Sequence, residues 1–136
     1  MEEKIRFPED VRLLYSARAS EIKKAWLDTM ARLIEIKETI IRVKKKKEEG
    51  KTYDILKDDM DKINSLRFAL IQISLIFDEF LAVANHYSLS KQLKEKIEKV
   101  KQKIIELDVY NVDSFYAANA DVMDVLTQYE IELLTK

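Results

Sequence analysis

The chain of 136 residues contains one glycine, Gly50, and one proline, Pro8. Sheets turn every few residues, and tight turns draw on Gly, Pro, Asn or Asp for dihedrals that other residues resist. A chain with so little punctuation is restricted to long helices. The composition points the same way, with 47% of residues hydrophobic and 36% charged, where about a quarter charged is usual. Disorder combines high charge with low hydrophobicity, so this mixture describes amphipathic helices. The length suits a single helical-bundle domain over residues 1–136, able to bury about two thirds of its extended surface.

Pro8, followed by Glu9 and Asp10, suits the opening of a first helix, where proline is tolerated and acids favour the dipole. Ile22, Trp26, Thr29, Leu33, Ile36, Ile40 and Val43 then follow at alternating spacings of four and three. Leu27, Ile34 and Ile41 are expected to widen this stripe to three apolar positions per heptad, as a bundle helix requires. The spacing predicts a helix of about 40 residues, roughly 60 Å long, stopped by Gly50 and open to a break near Ser20. A second helix is expected from Thr52 or Tyr53 to about His86, with the stripe Leu56, Ile63, Leu66, Leu70, Ile73, Phe77, Phe80 and Ala84. A third, capped by Ser88 or Ser90, carries Leu93, Ile97, Val100, Ile104 and Leu107. After a loop over 108–114, a fourth carries Phe115, Val122, Leu126, Tyr129 and Leu133.

Short loops favour antiparallel neighbours, so the expected fold is an all-α, antiparallel up-down four-helix bundle with a long first helix hairpin. Charge supports it. Net charge is +4 over residues 1–51, −3 over 52–87, +4 over 88–105 and −6 over 106–136. Helices adjacent in sequence would therefore meet with opposite sign. The many Lys, Glu and Ile and the short loops suit a thermophilic source.

Several chemistries are excluded. A single glycine cannot build a phosphate-cradling loop. Without cysteine there are no disulfides or thiolate metal sites, which fits a reducing compartment and leads to the expectation of a cytoplasmic protein. No N-terminal stretch reads as a secretion signal. The most apolar window, Phe68 to Ala84, is interrupted by Gln72, Ser74, Asp78 and Glu79 and is too short and polar to span a membrane. A di-iron bundle needs two Glu-x-x-His pairs, and His86 is the only histidine. Asp58, Asp59 and Asp61 lack the glycine and terminal Glu of a calcium loop. Ser88-Leu89-Ser90-Lys91 matches Ser-x-x-Lys without its partner motifs. No catalytic, cofactor or metal site is therefore assigned, and the chain is read as a non-enzyme.

Two surfaces remain. The run Lys44, Lys45, Lys46 and Lys47, with Arg42 and Lys51, could attract a phosphate backbone, with Lys99, Lys101 and Lys103 expected at the same end. Lysines also favour the negative C-terminal end of a helix, no aromatics interleave them, and the sequence pI is about 6.0. The second surface follows from length. Two helices of 35–40 residues cannot be covered by two of about 20, so apolar residues around Leu13, Leu14 and Tyr15, or on the extra face of the second helix at Ile71, Leu75 and Ile76, are expected to need a partner. The leading expectation is a structural or interaction protein that self-associates through helix–helix contacts. A nucleic-acid-associated protein using the basic end is the alternative.

Overall fold

The computed structural model describes residues 7–135, and among them every regular element is helical. Helix α1 covers Phe7–Glu35, α2 Lys37–Glu48, α3 Lys57–His86, α4 Lys91–Ile105 and α5 Val112–Thr135. A single 3-10 turn, Thr52–Asp54, stands between α2 and α3.

The expected long first helix is thus two helices, divided at Ile36 and not at Ser20. Ile36 has φ −99° and ψ 13°. It still donates to the Arg32 carbonyl and accepts from the Ile40 amide, both at 3.0 Å, so the chain bends without losing its path. Gly50, at φ +71°, stops α2: its amide bonds the Lys47 carbonyl and the Lys51 amide reaches back to Lys46. This closure requires a left-handed residue, which glycine adopts without strain. Helix α3 ends the same way, with Ser88 in the left-handed position at φ 53°. The Leu89 amide reaches the Ala84 carbonyl at 2.9 Å and the Ser88 amide that of Asn85 at 3.3 Å. Ser88 is therefore a helix stop. Ser90 is the cap of α4, its hydroxyl accepting from the Leu93 amide at 3.1 Å, and Glu132 of α5 accepts from both the amide and the hydroxyl of Ser90 at 2.8 Å.

Helix α1 packs on α3 and α5, α2 on α3, and α4 between α3 and α5. The cross-helix bonds run in opposite orders along each pair. Arg18, Arg32 and Arg42 meet Glu79, Ser65 and Asp59, Ser20 and Trp26 meet Glu130 and Asn119, and Ser90, Lys96 and Lys103 meet Glu132, Asp124 and Asp121. Six ion pairs cross between helices among the described residues, and in each the cation comes from α1, α2 or α4 and the carboxylate from α3 or α5. Exposed pairs contribute little individually, but this pattern opposes other pairings.

The core is continuous. Trp26, Leu33, Ile40, Leu66, Ile73, Phe77, Phe80, Ile97, Ile104, Leu126 and Tyr129 are all buried in it. The indole of Trp26 donates to Asn119 Oδ1 at 2.7 Å. Phe77, Phe80 and Tyr129 form an aromatic chain, with centroids 5.6 and 4.7 Å apart. Leu27, Ile34 and Ile41, expected inside, are exposed. On α1 the positions buried beside the inner stripe are Ala19 and Met30, with the Lys23–Glu130 pair reaching α5, and Ile41 lies beyond the bend on α2, which packs on α3 and buries Thr39, Ile40 and Val43. Leu56, expected in the α3 stripe, is also exposed and precedes the helix.

Candidate interaction surface

Helix α3 carries apolar residues on two faces. Its inner stripe, Ile63, Leu66, Leu70, Ile73, Phe77, Phe80 and Ala84, fills the core. On the opposite side Phe68 is 66% exposed, Ile71 55% and Leu75 60%, and Ile105 at the end of α4 is 54% exposed. Ile71 and Ile105 form the rims of a groove of about 240 Å³ between α3 and α4, whose walls include Leu70, Ser74, Ile104 and Leu107. That volume lies below the roughly 300–1,000 Å³ of ligand pockets, yet it is apolar and suited to a side chain. The Ser74 hydroxyl turns away to its own helix, donating to the Ile71 carbonyl at 2.7 Å.

The other expected contact residues divide. Leu13 and Leu14 are exposed on α1. Tyr15 and Ile76 are not available as expected, because both are half-buried against the core. The Tyr15 ring meets the edge of Tyr87 at 6.2 Å, and Arg12 covers Tyr87 at 4.7 Å. Patches of exposed apolar residues mark interfaces when they are contiguous, and the α3–α4 surface is contiguous where the α1 residues are not joined to a groove.

The basic end is largely committed to its own neighbours. The Arg42 guanidinium forks onto Asp59, at 3.1 Å to Oδ1 and 3.5 Å to Oδ2, and also donates to Thr39 Oγ1. Asp59 is 4% exposed, and its hydrogen bond holds the Arg42 pKa above the usual value. Lys46 donates to the Asp54 carbonyl at 2.6 Å, and Lys51 pairs with Glu49. Lys44 and Lys45 are exposed. Lys101 and Lys103, expected to reinforce this end, are tied to Asp78 and Asp121. The fold does supply an aromatic that the local sequence lacks, Tyr110, which lies beneath Lys47 and Arg67 at 4.8 and 5.6 Å; Tyr53, between Lys51 and Lys57 in the sequence, is exposed.

His86 is exposed and its ring meets the edge of Tyr87 at 4.9 Å, while Ser88 and Ser90 serve as helix stop and cap. Asp58 pairs with Lys62 and Asp59 with Arg42, so the three clustered aspartates do not converge. Among the described residues no group of three or more His, Cys, Asp or Glu is placed to hold a metal ion, and no helix is long and apolar enough to cross a membrane. Burial pushes the Tyr129 hydroxyl well above the usual phenol range, reinforced by Glu79, so it is a neutral core group.

Comparison with known proteins adds no relative. No family model, curated protein or solved structure matches the chain.

Sequence reasoning found Ile71 and Leu75 but missed Phe68 and Ile105. Phe68 carried a signal, since 68, 71 and 75 are spaced by three and four like any helical stripe. Ile105 carried none: only the packing of α4 on α3 brings it beside Ile71.

Proposed function

We propose that the chain is a non-catalytic interaction protein, an antiparallel up-down four-helix bundle whose α3–α4 outer surface makes helix–helix contacts, and that it self-associates. A scaffold, a virion subunit or an accessory subunit of a larger assembly would use such a surface. The observation that carries this reading is the apolar ridge Phe68, Ile71 and Leu75, continuous with Ile105 and the groove beside it. The chain's own core does not need these side chains. Sedimentation equilibrium from tens to hundreds of micromolar should return about twice 16.0 kDa at the upper end. A mass of 16.0 kDa throughout overturns the reading.

A second reading, nucleic-acid association at the basic end, is favoured by one observation: the Tyr110 ring lies beneath Lys47 and Arg67, with Tyr53 exposed two residues after Lys51. Aromatic faces with lysines are how single strands are held without sequence preference. A labelled oligonucleotide titrated at about 50 mM salt should bind, with affinity falling linearly in log–log salt dependence. Replacing Lys44 to Lys47 by Gln should flatten that slope, and no binding at low salt retires this reading.

A further inference from the structure

The groove between α3 and α4 is apolar along its walls and charged at one end. Leu70 and Ile71 of α3, Ile104 and Ile105 at the end of α4, and Leu107 and Val109 just beyond it line the groove. The buried Ser74 hydroxyl is turned to the Ile71 carbonyl, so the walls offer no free polar side chain. The one charged lining group is Arg67.

Arg18 and Arg42 each reach a carboxylate on α3. Arg67 has no ion pair among the described residues. It donates to Asn64 Oδ1 on its own helix at 3.5 Å, which is long for a hydrogen bond, and lies over the Tyr110 ring. Lys47 shares that ring, and it too has no ion pair among the described residues. Asp108, the acid nearest to Tyr110 in sequence, accepts from the Tyr110 amide at 2.9 Å. Two cations without counter-charges thus meet at Tyr110, the residue after the groove residue Val109.

We infer that this groove receives an aliphatic side chain from a helix of a different protein, one that carries a carboxylate a single turn away to pair with Arg67. This rests on the helix–helix contacts proposed above for the α3–α4 surface and names the chemistry of what is contacted. Three observations select the occupant. The groove, at about 240 Å³, has the size for a side chain and falls short of a free drug-sized ligand. Exposed Phe68, Ile71, Leu75 and Ile105 extend the apolar surface around it, so a helix laid there would bury its own apolar stripe, as helix-in-groove partners do. The unpaired charge at one end matches an acid on that helix. Residues three or four apart on a helix share a face, with Cβ atoms about 5–6 Å apart, and a guanidinium bonds a carboxylate with both directions satisfied. The chain's own ridge offers no free pair of this kind. Leu75 is followed by Asp78 and Glu79, and these are already paired with Lys101 and Arg18.

The probe is an alanine-based helical peptide carrying Leu and Glu four residues apart, compared with the same peptide bearing Gln in place of Glu and followed by methyl NMR. The acidic peptide should shift the methyl groups of Ile71, Ile104 and Ile105 saturably. The Gln peptide should bind about three- to tenfold more weakly. Arg67→Gln should erase that difference, and Ile105→Asp should abolish binding of both peptides. Arg67 is half-buried and Ile105 exposed, so both variants should fold. Equal affinities of the two peptides for the unsubstituted protein overturn the pairing with Arg67, and no shift at millimolar peptide overturns the groove. Isocaproate, a leucine-like side chain on a bare carboxylate, overturns the partner helix if it binds as tightly as the acidic peptide. The same methyl shifts on concentrating the protein alone, with a dimer mass, put a second copy in the groove and overturn the different partner. Sedimentation of the protein alone keeps the two readings apart. A dimer mass with no response to peptide overturns this inference and leaves self-association standing, whereas a saturable response with 16.0 kDa at every concentration supports the groove and removes self-association.

Discussion

Helices α3 and α4 lie side by side and are built on different plans. Helix α4 is apolar along one stripe, Leu93, Ile97, Val100 and Ile104, and its other faces carry lysines, of which Lys96, Lys101 and Lys103 reach carboxylates on α5 and α3. Helix α3 has an equally complete inner stripe and then a second apolar ridge facing outward. Packing inside the bundle requires one stripe per helix. The second ridge of α3 therefore has no purpose within the chain's own core, and the lysine-bearing side of α4 shows what a helix with no further contact looks like.

The inner stripes should respond alike. Phe77→Ala on α3 is expected to cost about 3–5 kcal/mol and Ile97→Ala on α4 about 2–5 kcal/mol in urea denaturation, since both side chains are fully buried. A loss below about 1 kcal/mol for Phe77→Ala would place the core elsewhere. Next in size is Asp59→Asn, which weakens the fork from Arg42 at the end of α3 that α4 does not cover. The carboxylate is buried but the Arg42 side chain is half-exposed, so the expected loss is about 1 kcal/mol, read in the same denaturation. The smallest effects on stability separate the outer faces. Phe68→Ser should change monomer stability by less than about 0.5 kcal/mol while lowering the sedimentation mass at high concentration. Lys99→Gln on α4 should change neither. If Phe68→Ser costs as much as Phe77→Ala, the two faces of α3 are not different in kind.

Much of the fold is legible because the inner stripes are strictly periodic: Ile22, Trp26, Thr29, Leu33, Ile36, Ile40 and Val43, and the stripes from Ile63 to Ala84 and from Leu93 to Ile104, are buried. Periodicity alone does not say how wide a stripe is. Leu27 and Ile34 are exposed because Ala19 and Met30, also at helical spacing, complete the buried face of α1, and Ile41 because it lies past the bend on α2, which buries Thr39, Ile40 and Val43. Asp59 shares a face with Ile63 and Leu66, yet an acid set between Asp58 and Asp61 gives no sign of burial until Arg42 is seen to reach it. The bend at Ile36 and the left-handed Ser88 have no local marker, since neither residue is a glycine or proline. For the candidate surface, Ile71 and Leu75 were visible as an extra face, whereas Ile105 and Tyr110 join their patches only through tertiary packing.

The seam between α1 and α5 bears on the order in which the molecule assembles. Its bonds join Trp26 to Asn119 and Arg12 to the carbonyl of Leu133, separations of 93 and 121 residues, while α2–α3, α3–α4 and α4–α5 are joined by short connections. Closing a long loop costs more chain entropy than closing a short one, and sequence-distant contacts form more slowly. The hairpins α3–α4 and α4–α5 are thus expected to form first and α1 to dock onto a preformed surface last. Native-state hydrogen exchange should then find α1 released before α3, so that a partner gripping the outer ridge of α3 would hold the part of the chain that is last to unfold.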